Sequence, residues 1–242
     1  MEKLWSCKAV LFDLYGTLVD ITSNEKDASL WEYMASYPPL KELDLPGEKL
    51  HSVYLQEAER TFKREKSIHK KPWRDIDILP VWYDTIHRID PCIGFDDIMS
   101  WIIEFRSQSR KSLQSCFGAS KALASLKAMG LNIFLICNGQ WFFGLKELEE
   151  TGLKHLIDRF YFSSNMGLAK PETNFFQQIL QENNLESSDV VMVGNEWIND
   201  IDPATALGIR SIFLTKDADK VGSSSVKILR KLEDIPQWLN KE

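Results

Sequence analysis

Short apolar runs recur along the chain, and each is bounded by polar or turn-forming residues. This pattern is typical of strands that are buried on both faces of a sheet. The runs predict β-strands over residues 8–13, 131–137, 160–163, 189–193 and 210–214. Most of the sheet is therefore expected to come from the second half of the chain.

Between the later runs, apolar residues follow the helical period instead. Residues 120–129 and 142–151 read as helices that close at Gly130 and Gly152, each a plausible glycine just past a helix end. Two more helices are predicted over residues 172–182 and 204–207. Strands that alternate with helices indicate an α/β fold, with a parallel sheet covered by helices on both faces.

The segment over residues 21–113 follows a different pattern and contains no convincing strand. Its apolar residues stand at helical spacing and prolines punctuate it. The residues at this spacing are Leu30, Trp31, Tyr33, Met34, Leu50, Val53, Tyr54, Ala58, Ile98, Ile102 and Phe105. We therefore predict a core domain of residues 1–20 and 114–242, with a helical domain of residues 21–113 inserted after the first strand.

Composition and charge narrow the class of protein. Of 242 residues, 44% are hydrophobic and 26% charged, which is ordinary for a globular protein. A net charge of −6 disfavours nucleic-acid binding, and no apolar stretch is long enough for a membrane span. The four cysteines, at positions 7, 92, 116 and 137, have neither metal-site nor redox spacing. Reduced thiols fit a cytoplasmic protein best.

Polar residues stand at the ends of four predicted strands. Asp13 ends the first, Cys137-Asn138-Gly139 the second, Lys170 follows the third, and Asn195-Glu196 the fourth. Ligands of open parallel sheets bind outside the carboxyl ends of the strands. One such spot is weak evidence, because strand ends are turns and turns are polar. Four of them predict a single site.

These motifs resemble those of the haloacid dehalogenase (HAD) superfamily. Phe12-Asp13-Leu14-Tyr15-Gly16-Thr17-Leu18 is similar to its first motif, and Ile136-Cys137-Asn138-Gly139 to its second. Lys170-Pro171-Glu172 is similar to the third, and Gly194-Asn195 with Asp200 to the fourth. The resemblance implies a Rossmann-like core, a helical cap of the C1 type, Mg²⁺ and an aspartyl-enzyme intermediate. It thus implies a hydrolase, most simply a phosphatase of a small phosphorylated metabolite.

The resemblance also assigns roles, which the chemistry of the residues supports. Asp13 is the expected nucleophile, since a carboxylate can attack phosphorus and split the reaction into two steps. Lys170 would pair with Asp13 and the phosphoryl group, while Thr17 would fix the loop. Substrate contacts are expected from Gly16, Cys137, Asn138 and Gly139. The expected Mg²⁺ ligands are Asp13, the Tyr15 carbonyl, Asn195, Glu196 and Asp200.

Three residues depart from the phosphatase pattern. Tyr15 stands where phosphatases of the family usually carry a second Asp, the general acid and base. Loss of such a group typically costs about 10²–10⁴ in rate. Cys137 replaces a Ser or Thr, and a thiol is a poor hydrogen-bond donor. Asn195 replaces an Asp, and the adjacent Glu196 is positioned to restore its charge.

These departures leave two alternatives open. Tyr15 is also typical of 2-haloacid dehalogenases, whose halide leaves without a proton. Two features oppose this alternative. The first arginine is Arg60, far beyond the cap position where a dehalogenase arginine is expected, and Phe176 stands where dehalogenases carry a Tyr. The other alternative is a weakly active or non-catalytic protein that binds a phosphorylated ligand. The sequence identifies neither the substrate nor the oligomeric state, for which we expect a monomer or homodimer.

Overall fold

The computed structural model describes residues 7–68, 75–217 and 222–240. The chain divides into two compact units. The core unit comprises the described parts of Met1–Asp20, Trp73–Asp75 and Leu113–Glu242. The helical unit comprises those of Ile21–Pro72 and Ile76–Ser112.

A six-stranded, fully parallel sheet forms the centre of the core unit. Its strands are β1 (Ala9–Phe12), β4 (Asn132–Cys137), β5 (Arg159–Phe162), β6 (Val190–Gly194), β7 (Arg210–Leu214) and β8 (Val226–Leu229). They lie in the order β5-β4-β1-β6-β7-β8. The chain thus builds one half of the sheet outward from β1 and then returns to build the other. The direction reverses between β1 and β6, which is where open α/β sheets bind ligands.

Both faces of this sheet are buried, which explains the continuous apolar runs. In β1, Val10 and Phe12 pack into one apolar cluster, while Ala9 and Leu11 pack into another. Three helices contribute side chains to the first cluster: α5 (Ala119–Ala128), α6 (Trp141–Glu150) and α10 (Ile235–Leu239). Two helices contribute side chains to the second cluster: α8 (Thr173–Glu182) and α9 (Asp202–Ala206). A short helix, α7 (Ser163–Met166), follows β5.

The structure confirms the five predicted strands and four predicted core helices to within one or two residues. β8 was not predicted. Its four residues lie beside a polar stretch, and three of them retain some exposure, so the apolar signal there is weak. The parallel α/β architecture is as predicted.

Within its described residues, the helical unit contains four α-helices around a cluster of aromatic side chains. The helices are α1 (Ala28–Ala35), α2 (Gly47–Ile68), α3 (Leu79–Ile89) and α4 (Phe95–Ser109). Trp82 stacks on Tyr54 with ring centroids 4.1 Å apart and meets the edge of Trp101 at 5.4 Å. Trp82 and Trp101 therefore serve packing within this unit. No helix in the described ranges is long and apolar enough to cross a bilayer.

Two features of residues 21–113 correct the sequence prediction. β2 (Val19–Ser23) and β3 (Arg110–Ser115) form a two-stranded sheet, although this segment was expected to contain no strand. Both strands are largely polar and exposed, so they leave no apolar run to detect. The prediction also missed α3, where Pro80 looked like a break. Proline is tolerated in the first turn of a helix, because its missing N–H would have no partner there.

Candidate active site

The predicted site residues meet outside the carboxyl ends of the strands. Asp13 directly follows β1, and its backbone N–H donates to the Val193 carbonyl of β6 at 3.0 Å. Lys170 lies between Asp13 and Asp200, with Nζ 2.6 Å from Asp13 Oδ1 and 2.6 Å from Asp200 Oδ1. The structure thus joins residues that are 157 and 30 positions apart.

Asn138 holds Lys170 through its backbone. The Asn138 side-chain amide donates to the Lys170 carbonyl, and the Lys170 N–H donates to Asn138 Oδ1, both at 2.8 Å. Two reciprocal hydrogen bonds fix both the position and the direction of the loop that carries the lysine. Asn138 therefore acts here on the loop of the third motif, whereas the sequence predicted a contact with substrate.

Burial makes the charges of this cluster interdependent. Asp200 is fully buried, and Asp13 and Lys170 are nearly so. Burial alone lowers the pKa of Lys170, but the adjacent Asp13 and Asp200 carboxylates outweigh it and raise that pKa, so the ammonium stays charged. Burial raises the pKa of Asp200 to about 6, and Asp13 adds to that rise, while Lys170 opposes it. One ammonium thus serves two competing carboxylates.

Gly16 allows the loop after β1 to approach Asn195. Its φ of +80° lies in the left-handed region, and its N–H donates to the Val19 carbonyl at 2.8 Å. A Cβ at this position would lie 2.4 Å from the terminal amide of Asn195. The loop therefore requires glycine here both for backbone conformation and for space.

Asn195 bridges three groups of that loop. One terminal atom of its amide lies 2.9 Å from Thr17 Oγ1 and 3.3 Å from both Asp13 Oδ2 and the Tyr15 carbonyl oxygen. Because the latter two are pure acceptors, we assign this atom as the nitrogen, whose two N–H groups are shared among the three oxygens. Thr17 Oγ1 thus contacts Asn195 directly.

The groups around Asn195 fit a Mg²⁺ ion. A carboxylate oxygen of Asp13 and the Tyr15 carbonyl oxygen both lie 3.3 Å from the end of the Asn195 amide, and a half-turn of that amide turns its own oxygen toward them. Mg²⁺ takes a few such oxygens and keeps several waters. No group of three or more His, Cys, Asp or Glu side chains arranged for a metal occurs within the described residues. The set present is a mixed one that relies on carbonyl and amide oxygens.

Asp200 and Glu196 differ in their suitability as ligands. Asp200 Oδ2 accepts the Glu196 backbone N–H at 2.9 Å, and Gly194 leaves room for it, since a Cβ there would lie 2.2 Å from that oxygen. The Glu196 side chain is exposed, and its carboxylate accepts a hydrogen bond from Asn199. The structure therefore brings Asp200 to the cluster and directs the Glu196 carboxylate elsewhere.

Residues in and next to the second motif make more structural contacts than the sequence suggested. Cys137 is fully buried in the core, and burial raises its pKa, so it remains a thiol. The Gly139 N–H donates to Ser163 Oγ at 2.8 Å, and the Trp141 N–H donates to Ser164 Oγ at 3.0 Å. The first of these contacts occupies the backbone N–H of Gly139, a residue that was expected to bind substrate.

Sequence reasoning missed Glu147, which accepts the Tyr15 hydroxyl hydrogen bond at 2.6 Å. It also missed the two serines that hold the second motif, Ser163 and Ser164. The available signal for Glu147 was its position four residues after Phe143, on the apolar face of α6. A charged residue on a buried helix face needs a partner, and the sequence alone did not identify one.

A parallel sheet in Rossmann-like order, with a carboxylate–lysine–carboxylate cluster outside the ends of its strands, defines an α/β protein with a charged site at the sheet edge. The chain belongs to the haloacid dehalogenase-like hydrolases, because the model of that family matches residues 7–208. The resemblance drawn from the motifs is thereby confirmed.

Curated relatives share about half of the chain. A glyceraldehyde 3-phosphate phosphatase of Methanocaldococcus jannaschii is 30% identical over 128 residues, which cover 50% of this chain and 56% of the relative. A ribulose-1,5-bisphosphate 5-phosphatase of Halopiger xanaduensis is 27% identical over 130 residues, covering 48% and 54%. The chain thus spans about half the length of the curated relatives it matches.

Solved structures share the whole fold. A 2-haloacid dehalogenase from Pseudomonas syringae aligns with a TM-score of 0.65 at 20% identity, covering 97% of this chain and 99% of that one. A HAD phosphatase from Thermococcus onnurineus aligns with a TM-score of 0.56 at 18% identity, covering 97% and 99%. At such low identity these similarities describe the fold, which phosphatases and dehalogenases share.

Proposed function

We propose that this protein is a Mg²⁺-dependent phosphatase that hydrolyses a small phosphorylated metabolite through an aspartyl-phosphate on Asp13. The observation that carries the proposal is the 2.6 Å distance between Lys170 Nζ and Asp13 Oδ1. The other carboxylate oxygen of Asp13, Oδ2, lies on the side of Asn195. The phosphatase names of two curated relatives support the substrate class. A reduced, cytoplasmic setting is supported by the four cysteines, all of which are unpaired.

In the first half-reaction, an Asp13 carboxylate oxygen attacks phosphorus and the bond to the leaving oxygen breaks. Lys170 offsets the negative charge that gathers on the two anionic reactants, and Asn138 keeps its loop in place. In the second, water attacks phosphorus, the Asp13–phosphorus bond breaks, and inorganic phosphate and the free carboxylate are released. When bound, Mg²⁺ would neutralise charge on the phosphoryl oxygens.

We assign the Mg²⁺ ligands to Asp13, the Tyr15 carbonyl, Asn195 and Asp200. The 3.3 Å separations around the Asn195 amide support the first three, and the place of Asp200 beside Lys170 supports the fourth. Glu196 is left out because its carboxylate bonds Asn199. We further propose that the helical unit, residues 21–113 of the predicted division, is the cap that selects the substrate.

The test is a panel of phosphate esters assayed with Mg²⁺ and with EDTA, on wild type, Asp13→Asn and Asp20→Asn. Asp13→Asn keeps size and polarity but removes the attacking charge, so turnover should be lost while the melting temperature changes little. Asp20 is exposed and serves as the matched control, with expected wild-type activity. Undiminished turnover in Asp13→Asn would refute the mechanism.

The second candidate is a 2-haloacid dehalogenase, which Tyr15 favours because a halide leaves without a proton. It predicts full activity on a 2-haloacid in EDTA and none on phosphate esters. The same panel, extended by one 2-haloacid, therefore distinguishes the two hydrolases. Binding of a phosphorylated ligand without turnover of either substrate would instead establish the non-catalytic alternative.

A further inference from the structure

Glu147 is a buried carboxyl group that the proposed chemistry at Asp13 does not use. It is 1% exposed on α6, and its neighbours Phe143 and Leu148 are buried apolar residues. Burying a carboxylate is costly unless hydrogen bonds or charges compensate, and a well-packed apolar residue often stabilises such a position better. The contacts of Glu147 therefore bear directly on its role.

The contact that bears on the site is with Tyr15. The Tyr15 hydroxyl donates to Glu147 Oε2 at 2.6 Å, a short distance typical of hydrogen bonds to charged groups. Tyr15 follows Asp13 by two positions, and its ring lies against the second motif, since a Cβ at Gly139 would lie 3.4 Å from Tyr15 Cε2. Glu147 thus holds a ring that lies against Gly139 and belongs to the loop that begins at Asp13.

Helix α6 gives Glu147 a fixed position. The Ser163 and Ser164 hydroxyls bind the backbone N–H groups of Gly139 and Trp141 just before and at its start. Farther along, the helix backbone approaches β5 so closely that a Cβ at Gly144 would lie 2.2 Å from the Phe162 ring. A helix restrained at both places cannot rotate easily, so its carboxylate is a firm anchor for the ring.

We propose that Glu147 is a positioning residue that fixes the Tyr15 ring as a rigid wall of the substrate site. The hydroxyl is committed to Glu147, so Tyr15 acts through the place of its ring and limits the shape of the leaving group beside Asp13. This inference rests on the proposed phosphatase function. It accounts for a carboxylate in an apolar helix face and for the tyrosine two positions after Asp13.

The test compares a compact and a bulky substrate, acetyl phosphate and 4-nitrophenyl phosphate. The variants are Glu147→Leu, Glu147→Gln, Tyr15→Phe and the double variant Tyr15→Phe/Glu147→Leu. The first and third each remove the hydrogen bond, and should shift the ratio of the two kcat/KM values toward the bulky substrate by about fivefold, as loss of one such bond predicts. The double variant should add no further shift, because both changes remove the same contact.

Two controls separate positioning from general damage. Glu147→Gln retains an acceptor oxygen and should keep most of the wild-type ratio, whereas Glu149→Gln, exposed on the same helix, should leave kinetics and melting temperature unchanged. A crystal structure of Glu147→Leu, or of Tyr15→Phe if the first does not fold, should show the ring displaced from Gly139. Melting temperatures are recorded for every variant.

An unmoved ring, or a kcat that falls equally for both substrates at an unchanged ratio, would overturn the role of Glu147 while the proposed function stands. Absence of any phosphate hydrolysis by the wild type would overturn the proposed function and the substrate wall together. A ratio shift in both single variants without additivity in the double variant supports the inference.

Discussion

Lys170 decides the charge balance of the site at the scale of single residues. Its ammonium contacts two buried carboxylates at 2.6 Å, and burial of all three groups strengthens each attraction. The same ammonium is needed to bring an anionic substrate to an anionic nucleophile. Charge pairing in the resting enzyme and catalysis are therefore two uses of one side chain.

We predict that Lys170→Met loses activity by about 10²–10³ in kcat/KM, as removal of one preorganised charged group does in other enzymes. Two buried carboxylates would then lack their shared cation, so unfolding should become easier by roughly 3–5 kcal/mol at neutral pH. Kinetics and denaturant unfolding measure the two effects. Lys8→Met, whose exposed ammonium pairs with Asp189 at 3.0 Å, is the control and should cost less than about 1 kcal/mol. Equal losses in both variants would contradict the prediction.

Tyr15 offers no carboxylic acid for the leaving oxygen, so we predict a strong dependence on the leaving group. Aryl and acyl phosphates should react faster than alkyl phosphates, because their leaving groups need little protonation. Tyr15→Asp should raise kcat/KM on alkyl phosphates more than on aryl phosphates, by less than the ~10²–10⁴ of full acid–base catalysis. The measurement is kcat/KM across esters of graded leaving-group pKa at saturating Mg²⁺. A flat dependence in wild type, with no gain in the variant, would show that another group supplies the proton.

At the scale of elements, Asp158 joins the end of α5 to the start of β4. One carboxylate oxygen accepts the Ile133 N–H at 2.8 Å, and the other pairs with Lys127 at 2.5 Å. Burial alone raises the pKa of Asp158, but the hydrogen bonds from Lys127 and Ile133 outweigh it and lower that pKa. A lowered pKa in the folded state means that folding favours the ionised form.

The stability that Asp158 contributes is therefore present above its unfolded pKa of about 3.9 and lost as the pH falls through the lower folded value. We predict that Asp158→Asn lowers stability by about 0.5–1 kcal/mol at pH 7, a modest value because the pair is one-third exposed. The gap to wild type should close in strong acid. Urea unfolding between pH 3 and pH 7 measures it, with Lys127→Gln expected to behave alike. A gap that is constant with pH would refute this assignment.

At the scale of the whole molecule, bound Mg²⁺ should stabilise the folded chain. A ligand present at 100 times its Kd adds about 2.7 kcal/mol, which for a chain of this size raises the melting temperature by roughly 5–10 °C. We expect this rise in wild type and in Asp20→Asn, and its loss in Asp13→Asn. Thermal unfolding with and without EDTA gives the answer independently of activity. An equal rise in Asp13→Asn would place the metal elsewhere.

The fold shows how far local pattern carries a prediction. Parallel strands must be apolar on both faces, so each of the five predicted strands appears as an uninterrupted run. β2 and β3 are polar and exposed and β8 is short, so periodicity gave no comparable signal. The glycines that follow α5 and α6 marked the ends of those helices correctly. The proline in the first turn of α3 suggested a break in the chain pattern, but the helix includes it.

The sequence by itself determined the α/β architecture, the motif residues and their meeting at one edge of the sheet, because strand direction fixes where strand ends lie. Only the tertiary structure decided which hydrogen bonds those residues make. In the folded chain, Asn138 bonds the Lys170 loop and the Glu196 carboxylate accepts a hydrogen bond from Asn199. The Tyr15 hydroxyl donates to Glu147, which is 132 positions away in the sequence. Hydrogen bonds form between atoms at about 3 Å, and which side chains reach that distance depends on packing that no local pattern encodes.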